Sequence, residues 1–535
     1  MKTILRIFPA AILALATLSG CTDKWLYPES QTAPTSEFLF TNAEGLQKAI
    51  IGLYMKDRGI VYDSDENEGN GDVYVVTMMD YCTDLMVFRA GTAASFARLD
   101  NYKSDSGHFQ QYWNRHYSII GKANEIIAGA KELDLSDPEV GWPYGEACLF
   151  RARSYFLLYQ RFERLYLNTE PTTVDNAFGR TFRAASKEEI FTQIKADLAE
   201  AEKYLDWNYP QRGRLNKAVA KHIRAQVAMW EEDWDEAIKQ VDEIFTKDTY
   251  HHMDTDTWTI FDGADLSSPE ILYCFQYSQN PGGGNTVSGG VVKGHRISLV
   301  VTPMYRSEGG MIMTNEYGGY GWGRVYPNSY LLSLYDKAND RRYTDLFVHG
   351  YKFNDPKNAK YGQDYVPTKA NYIGRGHPAT KKYMDFGYTH PDEPDKTTSF
   401  KDMPVYRLAE TALIGCEAYF HKDGPASTDA LKYYNMTWER AGNAHFDGPL
   451  TLENILEETA RECHFEGVRW NQLKRLGLLA ERVRAHAGDS KADDPMLESD
   501  YDQPRKNFKD ERDWRWPIPL KQLDLMPGFG QNPGW

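Results

Sequence analysis

The sequence predicts a mainly α protein: a scaffold of paired helices interrupted by a long loop-rich stretch with short strands. Three observations carry that expectation. Apolar residues recur at helical spacing in two blocks, one over about 42–245 and one over about 406–463. Several of these runs open on a residue suited to cap a helix. Between the blocks, the 96 residues from Pro281 to Gly376 hold 16 of the 42 glycines together with 11 tyrosines, and helical pattern there is sparse.

The chain opens on a leader. Lys2 and Arg6 precede an apolar run from Ile7 to Leu18, broken only by Pro9 and Thr17, and Leu18-Ser19-Gly20 leads into Cys21. A run this short, followed by small residues, reads as a secretory signal over 1–20. Ending on a cysteine is the pattern of a bacterial lipoprotein, with Cys21 as the lipid attachment site and the protein held on the membrane by its acyl chains. A polar tether with Pro28 and Pro34 fills 21–38.

The first helical block spans 39–250. Asn42 is placed to cap a helix with Leu46, Ala49, Ile50 and Leu53 on one face. Further helices are expected over about 109–130 and 144–162. Ser186 with Glu189 forms a capping box, and Asn216 caps the next run. Small residues on facing helices with tight turns look like tetratricopeptide-type hairpins. No clean 34-residue repeat is present, so a plain helical bundle fits the same pattern. Residues 251–400 form the loop-rich region, with a short strand expected near Ile297–Val301 and a helix near Ser329–Tyr335. Helices resume over 401–535, at about 406–420, 430–441 and 451–463, before a proline-rich tail.

Composition excludes several functions. The formal charge is −15, and −17 once the two positive charges of the leader are gone; with no Lys/Arg block, nucleic acid is a poor partner. With 35 Tyr, 24 Phe and 13 Trp there is aromatic surface for binding as well as for the core. Five cysteines besides Cys21 (82, 148, 274, 416 and 463) form no C-x-x-C pair and read as buried thiols. No cofactor or metal is expected from the motifs; a structural Ca²⁺ in an acidic loop stays open. Gly282-Gly283-Gly284-Asn285 lacks the Lys-Ser/Thr of a phosphate loop, and neither H-E-x-x-H nor G-x-S-x-G occurs. Asp80 and Asp84 are too closely spaced to flank a sugar ring and read as exposed or capping. His251-His252 reads as an exposed polar pair. Glu466 and Arg469, three apart, read as a helical ion pair.

The segment around that pair carries a resemblance. Arg461-Glu462, then Phe465-Glu466-Gly467-Val468-Arg469-Trp470 through Arg475, resembles the E-L-x-F-E-G-x-R-W-x-D-L-x-R signature of the SusD/RagB family of Bacteroidetes outer-membrane nutrient-binding lipoproteins. Gly145-Glu146-Ala147 with Arg151-Ala152 and Tyr155-Phe156 is similar to a family helix, Asp340-Arg341-Arg342 to its D-x-R element, and Gln531-Asn532-Pro533-Gly534-Trp535 to its ending. Cys463 and Gln472 replace the usual Leu and Asp, and Trp535 the usual Tyr.

The resemblance implies a non-catalytic binding protein with a tetratricopeptide-like side and a variable loop-rich ligand side. It also implies an oligosaccharide ligand, a SusC-like TonB-dependent transporter as partner, and a surface location on the outer membrane. Family ligand residues tend to come from segments corresponding here to 84–102 and 305–326. Trp322, Tyr320 and Tyr317 are the expected stacking platforms, Phe96 or Tyr102 the opposing ring, and Arg98 and Asn101 the polar partners. A peptide-binding lid is the alternative, and a surface glycosidase or a purely structural repeat scaffold are further readings.

Overall fold

The computed structural model describes residues 39–59, 77, 80–91, 94–101, 103–177, 182–209, 211–262, 268–280, 283, 285–286, 292–387 and 398–535. The leader, Cys21, the tether, Tyr102 and most of the 281–284 glycine run lie outside them.

The predicted caps start the helices they were expected to start. Asn42 Oδ1 accepts from Gly45 N at 2.9 Å at the head of α1 (Ala43–Gly59). Ser186 and Glu189 close a reciprocal capping box on α5 (Lys187–Tyr204), and Asn216 caps α6 (Lys217–Glu231). Between them lie the short α2 (Ala94–Arg98), α3 (Gly107–Lys131) and α4 (Pro138–Phe162). Helix α4 is the axis of the first block, buried along most of its length and packed by α1, α3 and α5. Three of its charged residues are answered inside: Arg151 donates to both Asp197 oxygens, Arg153 to Asp57 at 2.6 Å, and Glu146 accepts from Arg214.

Helix α6 turns into α7 (Trp234–Lys247) through Glu232 at φ +58°, and Asp233 caps the second helix. In the second block, α9 (Leu408–Asp423) and α10 (Thr428–Trp438) make a like hairpin that packs on α7. The two hairpins share a core cluster built on Ala225, Ala237, Val241, Ala412 and Tyr433. Small residues let the helices approach, as the spacing suggested.

Strands are few and short among the described residues, and they pair across the chain. β1 (Met86–Phe88) pairs antiparallel with β3 (Val325–Pro327), and β2 (Ile271–Phe275) with β4 (Met403–Arg407). One core cluster runs from Leu46 to Phe529, so the loop-rich region and the C-terminal tail share the scaffold's interior. The tail is tied in by Asn532, which donates to the carbonyls of Phe162 and Trp516 at 2.6 and 2.7 Å.

Four expectations are corrected. Ile297–Val301 is not a strand but a buried turn of helix, α8; a five-residue apolar run does not distinguish the two. Asp80 and Asp84 are not exposed but fully buried; Asp80 does cap, its Oδ1 accepting from the Arg469 N–H at 3.1 Å at the head of the helix that begins there. Arg469 spans to Asp84 with a two-pronged pair (2.9 and 2.6 Å) in place of pairing with Glu466. The helix that would have joined Glu466 to Arg469 is broken: α11 (Leu452–Cys463) ends before Phe465 and Gly467 at φ +62° and +78°, and α12 (Arg469–Arg475) starts afresh. His251 is buried and bonded to Asp248 at 2.7 Å.

A buried ionic network joins the loop-rich region to α11. Arg342 donates to Asp340, Glu458 and Glu462; Arg407 donates to Glu270, Glu462 and Glu466; Lys382 donates to Glu466. Burial opposes the charge of Arg342, yet Glu458 and Asp340 hold it well above its ordinary pKa. Arg440, Arg407 and Arg342 hold Glu462 well below its own.

Candidate ligand-binding site

The two segments expected to carry ligand residues, 84–102 and 305–326, meet through the β1–β3 pair. Val87 stands opposite Tyr326. Arg89 extends the ladder, its N–H donating to the Arg324 carbonyl at 2.7 Å. The Arg89 side chain then crosses the gap, Nε donating to Gly323 O at 2.5 Å and Nη2 to Trp322 O at 2.8 Å.

Residues 322–324 are held from the other side as well. The N–H groups of Trp322, Gly323 and Arg324 donate to the carbonyls of Leu299, Thr302 and Val300 at 2.7–2.8 Å. The unexpected helix α8 is therefore the floor of this loop. Glycine is required here: a Cβ on Gly321 would sit 2.2 Å from Thr302 O, and Gly323 has φ +51° with Tyr326 Oη 2.1 Å from where a Cβ would stand.

On this base the aromatic rings are half-buried and partnered by guanidinium groups. Arg324 lies 4.2 Å from the centre of the Trp322 ring, and Arg306 lies 3.8 Å from that of Tyr320. A Cβ on Gly91 would reach the Arg324 side chain at 2.9 Å, which sets Arg324 against the first segment. Tyr317 is more constrained. Its ring packs with Tyr305 and Tyr351 at 5.5 and 5.0 Å, and its hydroxyl donates to Lys352 O at 3.0 Å.

The first segment contributes differently from the expectation. Phe96 is only 3% exposed and packs on Phe109 and edge-on to Trp516 (4.9 and 5.5 Å). It is a core ring, and the correction has a physical cause: α2 turns that face inward onto the C-terminal Trp516. Asn101 is exposed, at φ +47°, on the rim of a hollow of about 370 Å³ shared with Lys103, Asp105, Ser106 and His108. Burial pushes His108 down to about 4, so its ring is neutral at pH 7. Arg98 is half-exposed, its carbonyl accepting from Asn507 at 2.8 Å.

Sequence reasoning missed Arg89, Arg306, Arg324 and Tyr501. Arg324 had a signal, since a residue two beyond Trp322 in extended chain shares its side. Tyr501 had none. It is half-buried near Arg89 and Arg98, and its backbone N–H donates to Asp489 O at 2.7 Å.

With this geometry in view, comparison with known proteins is decisive. Residues 28–227 match a family described as "Starch-binding associating with outer membrane", and residues 287–535 match the SusD family. The chain belongs to the SusD/RagB family. Along 98% of both chains it is 26% identical to SusD-like protein P2 of Formosa agariphila. The fold agrees with that of a solved SusD homolog from Bacteroides thetaiotaomicron, with TM-score 0.75 at 19% identity, covering 95% of this chain and 100% of that one. It also agrees with surface glycan-binding protein A from Bacteroides thetaiotaomicron in complex with laminarihexaose. There the TM-score is 0.72 at 19% identity, covering 91% of this chain and 99% of that one. The ion pairs through Glu466 and Arg469 join elements of the scaffold's interior.

Proposed function

We propose that this protein is a non-catalytic, lipid-anchored glycan-binding protein of the outer-membrane surface that delivers oligosaccharide to a SusC-like TonB-dependent transporter. The observation that carries the reading is the Trp322–Arg324 pair, fixed by Arg89 and α8, together with the Tyr320–Arg306 pair of the same loop. A sugar ring has apolar C–H faces that pack on aromatic rings, while its hydroxyls need donors and acceptors at the ring edge. Trp322 and Tyr320 are each half-buried, and the guanidinium over each ring supplies donors beside it. The Asn101 hollow adds amide, ammonium and carboxylate groups suited to hydroxyls. The family description and the laminarihexaose-bound neighbour support a glycan as the ligand class.

The test is retention of the soluble chain, lacking residues 1–21, on immobilised polysaccharides, beginning with laminarin. Binding to one class that is lost in Trp322→Ala, with unchanged melting temperature, is the expected result. Retention unaffected by Trp322→Ala removes the proposed face, and retention only on peptide resins transfers the site to peptides. Unchanged oligosaccharide after long incubation is expected; its cleavage overturns the non-catalytic reading.

A further inference from the structure

A second cavity, of about 130 Å³, lies inside the helical scaffold where α3, α4, α6, α9 and α12 converge. Its walls are charged, and most of that charge is matched. Arg475 and Gln472 donate to Glu417, Arg407 and Lys382 to Glu466, and Arg153 to Asp57 and the Tyr406 hydroxyl. Glu410 accepts from Gln226 at 2.7 Å, with His222 Nε2 at 3.4 Å.

Arg161 differs. It is 4% exposed, and among the described residues no carboxylate forms an ion pair with it. Its guanidinium lies 4.1 Å from the centre of the Trp470 ring and 5.4 Å from that of Trp516, and the Tyr112 hydroxyl is its one hydrogen-bonding side chain among the described residues. Burial holds its pKa below the ordinary value despite Tyr112 and Asp80, the reverse of the matched arginines Arg342, Arg407 and Arg469. Two other groups lining the cavity keep hydrogen-bonding capacity. His116, 1% exposed, has no partner for Nδ1, and Asn471 has none for Oδ1. Apolar side chains, Leu157, Met229 and Leu413, also line the cavity, Leu157 one helical turn from Arg161.

A buried guanidinium with unspent N–H donors is expensive unless an acceptor meets it, and its planar fork matches a carboxylate. We infer that this cavity is a binding site for a small aliphatic carboxylate, whose charged end meets Arg161 beside His116 and whose tail lies on Leu157, Met229 and Leu413. The site uses none of the Trp322 face and is independent of the glycan reading.

The probe is sodium butyrate, compared with acetate and with sodium chloride at equal ionic strength, read by thermal unfolding and by calorimetric titration of the soluble chain. Butyrate should give a saturable rise of about 2–3 °C at a hundredfold excess over Kd, with acetate weaker for want of a tail. Arg161→Met, which keeps length and loses the fork, should abolish the difference from chloride. Leu413→Phe, which fills the cavity and keeps the charge, should abolish it too, so that a folding failure of one variant leaves the other to decide. Trp322→Ala should leave it intact. No saturable difference from chloride in the wild type overturns the proposal. So does a butyrate effect that survives both cavity variants, or a crystal structure at saturating butyrate with only water beside Arg161.

Discussion

The junction between the loop-rich region and α11 uses arginine in the opposite way from the loop at 305–326. At the junction, Arg342 and Arg407 are 0% and 1% exposed, and each is met by several carboxylates. In the loop, Arg306 and Arg324 lie over half-buried rings. The first arrangement spends every donor on the protein and locks two parts of the chain together. The second leaves guanidinium and ring half-exposed, where the proposed ligand would meet both. The difference teaches that burial of the charge, and what answers it, separates a structural arginine from one proposed to bind more clearly than residue type does.

That contrast can be broken at its strongest point first. Glu462→Ala leaves Arg342, Arg407 and Arg440 facing each other in the interior. A loss of about 3–5 kcal/mol is expected, from the cost of stripping a partner from buried charges. Denaturant unfolding measures it, and a loss under 1 kcal/mol would show that the network is dispensable. Phe96→Ala comes next, at about 3–5 kcal/mol for a buried Phe, with glycan affinity unchanged in the variant that remains folded. A selective loss of affinity would return Phe96 to the ligand face.

Trp322→Ala should do the reverse, weakening glycan binding about tenfold or more, or about 1.4 kcal/mol, without moving the unfolding midpoint. Arg89→Lys keeps the charge but cannot bridge Trp322 O and Gly323 O with the same fork, so a smaller, few-fold weakening is expected from a misplaced Trp322. Equal affinity would show that α8 alone positions the loop.

Acidity sharpens the comparison from the scaffold side. Glu417 is fully buried; burial opposes its charge, but Arg475 and His421 hold its pKa down to about 2. The folded value lies below the unfolded one, so this stabilisation is present above about pH 4.5 and is lost as pH falls toward 2. Glu417→Gln should therefore flatten the fall in melting temperature between pH 4.5 and 2 while lowering stability at pH 7. An unchanged acid slope would show that the Arg475 pair does not set it.

Local signals survived into the structure because they act over a few residues. Asn42, Ser186 and Asn216 cap the helices they precede, and the glycines around Trp322 mark a loop that admits no Cβ at Gly321. The motif at 465–475 was legible as a family signature but not as a set of contacts. Its Glu466 and Arg469 look to each other in sequence and to Arg407 and Asp84 in space. Trp322 was legible as a candidate from its ring and its loop. Arg89 was not, since its place under that loop depends on strands separated by more than 230 residues.

The chain's own order of residues determined the helical class, the starts of α1, α5 and α6, and the family. Each depends on spacing, on capping groups within three residues, or on motifs read in line. Only the tertiary structure decided that Ile297–Val301 is a helix, that Phe96 turns inward, that Asp84 answers Arg469 and that Arg161 faces a cavity. Those outcomes are settled by which distant segments share one desolvated interior, where every buried charge and ring must find its neighbour across the fold.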